Sequence, residues 1–250
     1  MPRFSVTIET RDGLCPASLL TPAGQAGPWP AVIFFMDGFG IRPAMWEMGQ
    51  RLAERGYVVL LPDLYYRVGP YPPMNPREVL GDPELMNALM KNVASLDRDR
   101  KISDTAACID FLISRPEVEG DRYGVTGYCM GGNVALTAAG AFPGRFAAIA
   151  SFHGGNLVTD QPDSPHLFVK HITDYVYVAG SVEDAYFTEA QKMRLEEALT
   201  EAAVPHLVET YPGAYHGFAV PDVPSFDLAA SDRHWASLFR LLHESLALKR

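Results

Sequence analysis

The chain has 250 residues, 48% of them hydrophobic and 20% charged, so a full apolar core can be buried and a disordered chain is excluded. Its net charge of −9, with no basic block, argues against nucleic acid as a partner, and no apolar run is long enough to cross a membrane. Three scattered cysteines without CxxC spacing, and an N-terminus without an apolar signal segment, fit an acidic globule of the reducing cytoplasm with no zinc site.

From the N-terminus, residues 4–9 alternate with period two, and residues 15–20 follow an Asp12-Gly13 turn. That pattern predicts an antiparallel hairpin on a sheet edge. Residues 31–36 (AVIFFM) and 57–61 (YVVLL) are apolar on consecutive positions, as strands buried on both faces are. Between them Met45, Met48 and Leu52 repeat at helical spacing and stop near Gly56. Residues 65–100 break the rhythm with a Pro-rich stretch at 69–76, followed by Leu80, Leu85, Met86, Leu89 and Met90. They read as a surface excursion with one packed helix or as a cap over a pocket.

Ile102, Ala106, Ile109 and Ile113 then mark a helix before Arg115-Pro116. Further strands are expected at 123–126, 147–152, 175–179 and 206–210. Thr188 and Gln191 form a capping-box pattern ahead of Met193, Ala198 and Ala202. Asp227 is a candidate cap for a last helix striped by Trp235, Leu238, Phe239, Leu242 and Leu246. The alternation implies an α/β fold, a mostly parallel sheet flanked by helices with the hairpin at its edge. No linker divides the chain, so one domain over 1–250 is expected.

The segment Gly127-Tyr128-Cys129-Met130-Gly131-Gly132 stands directly after an apolar strand and directly before a helical run that begins at Asn133. It is the nucleophile-elbow pattern G-x-Nu-x-G with cysteine as the nucleophile. A sharp strand-to-helix turn has no room for side chains two residues either side, and the helix amides favour the anionic thiolate. On this scaffold an acid and then a histidine follow later strands. The acid falls to Asp184, with Glu183 beside it as the alternative, and the histidine to His216 in a glycine-flanked loop. Either carboxylate could instead cap the helix after Thr188. Tyr128 flanks the nucleophile, and His153, in Phe152-His153-Gly154-Gly155, could face the same pocket. The other histidines show no metal-like pairing.

Together with Met36-Asp37-Gly38-Phe39-Gly40, the segment at 56–65 (GYVVLLPDLY) and His216-Gly217-Phe218, the elbow resembles the dienelactone hydrolases through nearly the whole chain. The resemblance implies an α/β-hydrolase fold, a Cys129–His216–Asp184 triad, and hydrolysis of a small-molecule lactone or ester without any cofactor. It also implies that Asp37, one methylene shorter than the family's glutamate, contacts the resting thiol, with Phe39 beside it. The family's carboxylate-binding arginine just past the histidine has no counterpart in Phe218-Ala219-Val220-Pro221. For a second such arginine, Arg67 and Arg77 are the candidates.

The expected chemistry is attack by the Cys129 thiolate on a carbonyl, with backbone N–H groups of Met130 and Gly38 holding the oxyanion. His216 then activates water against the thioester. A glutamine amidotransferase would carry Cys…His-x-Glu, whereas Gly217 and Phe218 follow His216, and a serine esterase has no Gly-x-Ser-x-Gly to use. The alternatives are a broad-specificity carboxylesterase with other natural substrates, and a non-catalytic binding protein on a hydrolase scaffold.

Overall fold

The period-two alternation at the N-terminus folds as expected: β1 (Arg3–Thr10) and β2 (Gly13–Leu20) pair antiparallel, with Ile8 opposite Cys15. The computed structural model describes residues 2–24 and 26–246, so Met1, Gln25 and 247–250 of the expected domain lie outside the described residues. The chain divides into two compact units, Met1–Asp121 and Arg122–Arg250.

In the first unit the strands run in the order β1-β2-β4-β3, where β3 (Ala31–Phe35) and β4 (Val58–Pro62) are parallel and every residue of both is buried. Consecutive apolar residues are what such doubly covered strands need. Helix α1 (Pro43–Ala53) buries Met45, Met48 and Leu52 as its spacing predicts. Residues 65–100 hold a 3₁₀ turn at Tyr66–Val68 and two helices where one was expected, α2 (Pro76–Gly81) and α3 (Pro83–Ala94). Each starts on a proline behind an Asn or Asp whose side chain accepts first-turn N–H groups. Leu80, Leu85 and Met90 are exposed, while Leu89 is buried. Leu89 and Val93 close on Gly38: a Cβ built there would lie 3.6 and 3.4 Å from their methyl groups. Helix α4 (Arg98–Ile113) is rotated from the expected stripe, burying Cys108, Ile109 and Leu112 and leaving Ile113 exposed.

The second unit carries four parallel strands in the order β5 (Tyr123–Tyr128), β6 (Phe146–Phe152), β7 (Tyr175–Gly180) and β8 (His206–Thr210). Helix α5 (Met130–Ala141) is buried nearly all round, which its small apolar residues permit. Gly140 lets it approach closely, since a Cβ there would meet the Phe168 carbonyl at 2.9 Å. Helix α6 (Glu189–Glu201) begins with the expected capping box at Thr188 and Gln191. Its inward face is not the expected one, however: Met193 is exposed, and Lys192, Leu195 and Leu199 are buried. Helix α7 (Leu228–Leu246) is capped by Asp227, whose carboxylate accepts the Ala230 N–H, and it buries Trp235, Leu238 and Leu242 together with His234. Among the described residues no helix is long and apolar enough to cross a membrane.

Candidate active site

Cys129 sits between β5 and α5 with φ +53° and ψ −117°, in the left-handed region that a non-glycine residue occupies only when its surroundings enforce it. Those surroundings are explicit. Its N–H donates to the Phe152 carbonyl (3.1 Å), and its own carbonyl accepts from Gly132 (3.0 Å) and Gly155 (3.1 Å). A Cβ at Gly127 would fall 1.9 Å from the Gly131 oxygen, and one at Gly132 would fall 2.4 Å from Ser151 Oγ. Glycine at both positions is therefore a steric condition of the turn.

Tyr128 turns inward from the elbow. Its ring stacks on Phe152, and its hydroxyl lies 2.7 Å from His234 Nε2. His234 Nδ1 faces the Ser231 carbonyl at 3.1 Å, so Nδ1 carries the proton and Tyr128 donates to Nε2. This fully buried pair ties the elbow to α7. Met130 opens α5. Of the three cysteines only Cys129 is partly exposed. Burial pushes the Cys15 thiol up to about 12 and raises the Cys108 thiol well above its ordinary value.

The expected acid and histidine come together. The turn after β7 exposes Glu183, at φ +49°, and buries Asp184. Asp184 Oδ2 accepts from His216 Nδ1 (2.9 Å) and from Ser181 Oγ (2.6 Å), and Oδ1 accepts from the Tyr186 N–H (2.9 Å). Burial alone would raise the Asp184 carboxyl, but His216 and the two other donors outweigh it and hold the carboxyl below its usual value. The loop that carries His216 relies on Gly217, at φ +97°, where a Cβ would lie 2.7 Å from both Ser225 Oγ and Val223.

His216 Nε2 is buried and makes no aligned hydrogen bond among the described residues, an arrangement that tightens in many enzymes only with substrate. The ring is nevertheless coupled to Cys129. Burial pushes its pKa down, while the Cys129 sulfur and then Asp184 push it up more strongly, to about 10. The protonated ring is the state these interactions favour.

His153 follows β6 with φ +37° and is fully buried, with neither ring nitrogen hydrogen-bonded among the described residues. Its ring meets His216 at 5.2 Å and Phe218 at 5.0 Å, both edge to face. Burial, followed by His216 and His234, depresses its pKa well below the ordinary value, so it is neutral.

In the first unit, Asp37 is held by a residue that the sequence reading did not single out. Arg42 donates to both its oxygens, at 2.7 and 2.8 Å, and both side chains are buried. Asp37 Oδ1 also accepts the Phe39 N–H, Arg42 donates to the Gly40 carbonyl, and Tyr65 donates to the Gly38 carbonyl. The pair thus fixes the turn at 37–40, with the Arg42 guanidinium 5.4 Å from the centre of the partly exposed Phe39 ring. Arg67 is engaged by Asp104 (2.6 and 2.8 Å) and Asp12 (2.7 Å), whereas Arg77 is exposed at the start of α2. Among the described residues no cluster of three His, Cys, Asp or Glu side chains could hold a metal ion.

Parallel strands, covering helices and a cysteine elbow at a strand-to-helix turn define an α/β-hydrolase. The dienelactone hydrolase family model matches residues 15–246, and the chain belongs to that family. It is 27% identical to the carboxymethylenebutenolidase of Rhodococcus opacus over 239 residues, 93% of this chain and 88% of that one. It is 28% identical over 233 residues to a Synechocystis protein assigned as a carboxymethylenebutenolidase, 92% of each chain. Among solved structures, a Klebsiella pneumoniae protein assigned as a dienelactone hydrolase superposes with a TM-score of 0.84 at 21% identity, covering 97% of this chain and 98% of that one. The protein is a carboxylic ester hydrolase of the carboxymethylenebutenolidase-like kind.

Proposed function

We propose that Cys129, His216 and Asp184 form a nucleophile–base–acid triad that hydrolyses small activated esters or lactones through a thioester. The observation that carries this reading is the hydrogen bond from His216 to the buried Asp184 carboxylate, on a ring coupled to the elbow cysteine. The Cys129 thiolate adds to the substrate carbonyl, and the oxyanion is met by the Met130 N–H at the start of α5. By the family resemblance the second donor is the Gly38 N–H. As the adduct collapses, the carbon–oxygen bond to the leaving group breaks and the imidazolium supplies its proton. Water then attacks the thioester, His216 takes the water's proton, and the carboxylic acid departs as sulfur regains its electron pair. Tyr128 and His153 shape the floor under the elbow and His216. Of the two candidate arginines, Arg67 is committed to Asp104 and Asp12 and Arg77 is exposed on the outside of α2, while 218–221 offer none. This favours uncharged esters or lactones. A cytoplasmic setting suits a thiolate that must stay reduced.

The leaving group supplies the test. The tetrahedral adduct expels either the thiolate or the substrate oxygen, and a thiolate leaves far more readily than a simple alkoxide. Alkyl esters therefore mostly revert, while aryl and enol esters, whose oxygens leave as stabilised anions, go on to the thioester. With one acyl group and a graded series of leaving groups, kcat/KM should fall steeply from nitrophenyl to ethyl ester. Each ~1.4 kcal/mol of barrier corresponds to about tenfold. Equal rates for the two, with acylation limiting, would remove the thiolate mechanism.

A further inference from the structure

One buried charge has no part in the chemistry above. Lys192 of α6 is 5% exposed, although lysine is seldom buried unless its three donors are all met. Here they are met. Nζ donates to the Ser181 carbonyl (2.7 Å), to Thr210 Oγ1 (2.9 Å) and to Glu189 (3.2 Å). Glu189 is largely exposed and is a weak partner in water. The two remaining acceptors stand at particular places. Ser181 directly follows β7 and heads the turn that carries Asp184, and Thr210 ends β8 and heads the loop that carries His216.

The same two strand ends are joined by backbone bonds, from Val182 N–H to the Ala214 carbonyl (2.8 Å) and from Tyr211 N–H to the Gly180 carbonyl (2.9 Å). Ser181 itself continues the chain of contacts, because its hydroxyl donates to the Asp184 oxygen that also receives His216. Gly180 makes room for the lysine: a Cβ there would lie 2.7 Å from Lys192 Cε. We propose that Lys192 is a positioning residue of the hydrolase, one ammonium that clamps the β7 and β8 ends so that Asp184 and His216 keep their hydrogen-bonded spacing. The proposal rests on the triad reading above.

Lys192→Met keeps the stem and removes the three donors. Its kcat should fall between about tenfold and a hundredfold with KM little changed, as a small misplacement of acting groups does. The ¹⁵N signals of the His216 ring should shift at fixed pH, and Lys192→Arg should recover part of the rate. In an Asp184→Asn background the same substitution should cost no further rate, because it acts through that carboxylate. If Lys192→Met is poorly folded, Thr210→Val removes one acceptor from the clamp and should lose several-fold in kcat with the same ¹⁵N shift. A folded Lys192→Met or Thr210→Val enzyme with unchanged kcat and unchanged ring signals would overturn the clamp, as would a loss that adds in full to that of Asp184→Asn. If Asp184→Asn is itself as active as the native enzyme, the triad reading fails. If Asp184→Asn is impaired while Lys192→Met is not, the clamp alone fails.

Discussion

Cys129→Ala should lower kcat/KM on aryl esters and lactones by at least about 10⁴-fold, leaving the small residue that binding and oxyanion donors give alone. Cys15→Ala and Cys108→Ala should keep near-native rates. The contrast follows from three settings. Cys129 is partly exposed, held in a strained backbone conformation and coupled to His216, whereas Cys15 and Cys108 are buried with their thiols pushed up. The strain also implies that the elbow is maintained by its neighbours rather than by the cysteine, so the alanine protein should fold. Steady-state rates on a nitrophenyl ester and on a lactone decide the matter. A fully active Cys129→Ala protein would end the proposed mechanism.

Asp184→Asn should lose about 10⁴-fold in kcat, while Glu183→Gln, on the exposed side of the same turn, should lose little. An amide at 184 can donate to the ring and so favours the tautomer with the proton on the wrong nitrogen. It also withdraws the negative charge and the hydrogen bond that help to raise the His216 pKa to about 10. The sign is fixed: with that support gone, the imidazolium loses its proton at lower pH, moving toward the ordinary histidine value near ~6.5. NMR titration of the His216 ring in both proteins measures the shift directly. An unchanged midpoint, or a larger loss in Glu183→Gln, would move the acid to position 183.

The elbow, Asp184 and His216 are legible in the sequence because each is local: a glycine pattern, or a residue at the end of an apolar run. The hairpin and the doubly covered strands are legible for the same reason. What stays hidden depends on partners far away in the chain. His234 is only one of the histidines without metal-like pairing until Tyr128, 106 residues earlier, is placed against it. Lys192 is the clearest case. Apolar spacing in α6 points to Met193, because a lysine contributes nothing to a hydrophobic pattern, yet Lys192 is the residue that turns inward. Its burial is comprehensible only with the Ser181 carbonyl and Thr210 hydroxyl in place. Arg42 is hidden differently. Asp37 resembles a thiol-contacting acid, and only the fold shows both its oxygens committed to a guanidinium five residues on.

The thioester on Cys129 is the central claim, and intact-mass spectrometry tests it most directly. A nitrophenyl ester is reactive enough to acylate the thiol of a His216→Asn protein, in which no base remains to draw the proton from water, so the acyl-enzyme should accumulate. Expected is a mass gain equal to one acyl group, mapped to the peptide containing Cys129, released by hydroxylamine and absent when Cys129 is alanine. An acyl group on a serine or any other residue, or an adduct that persists in Cys129→Ala, would contradict it.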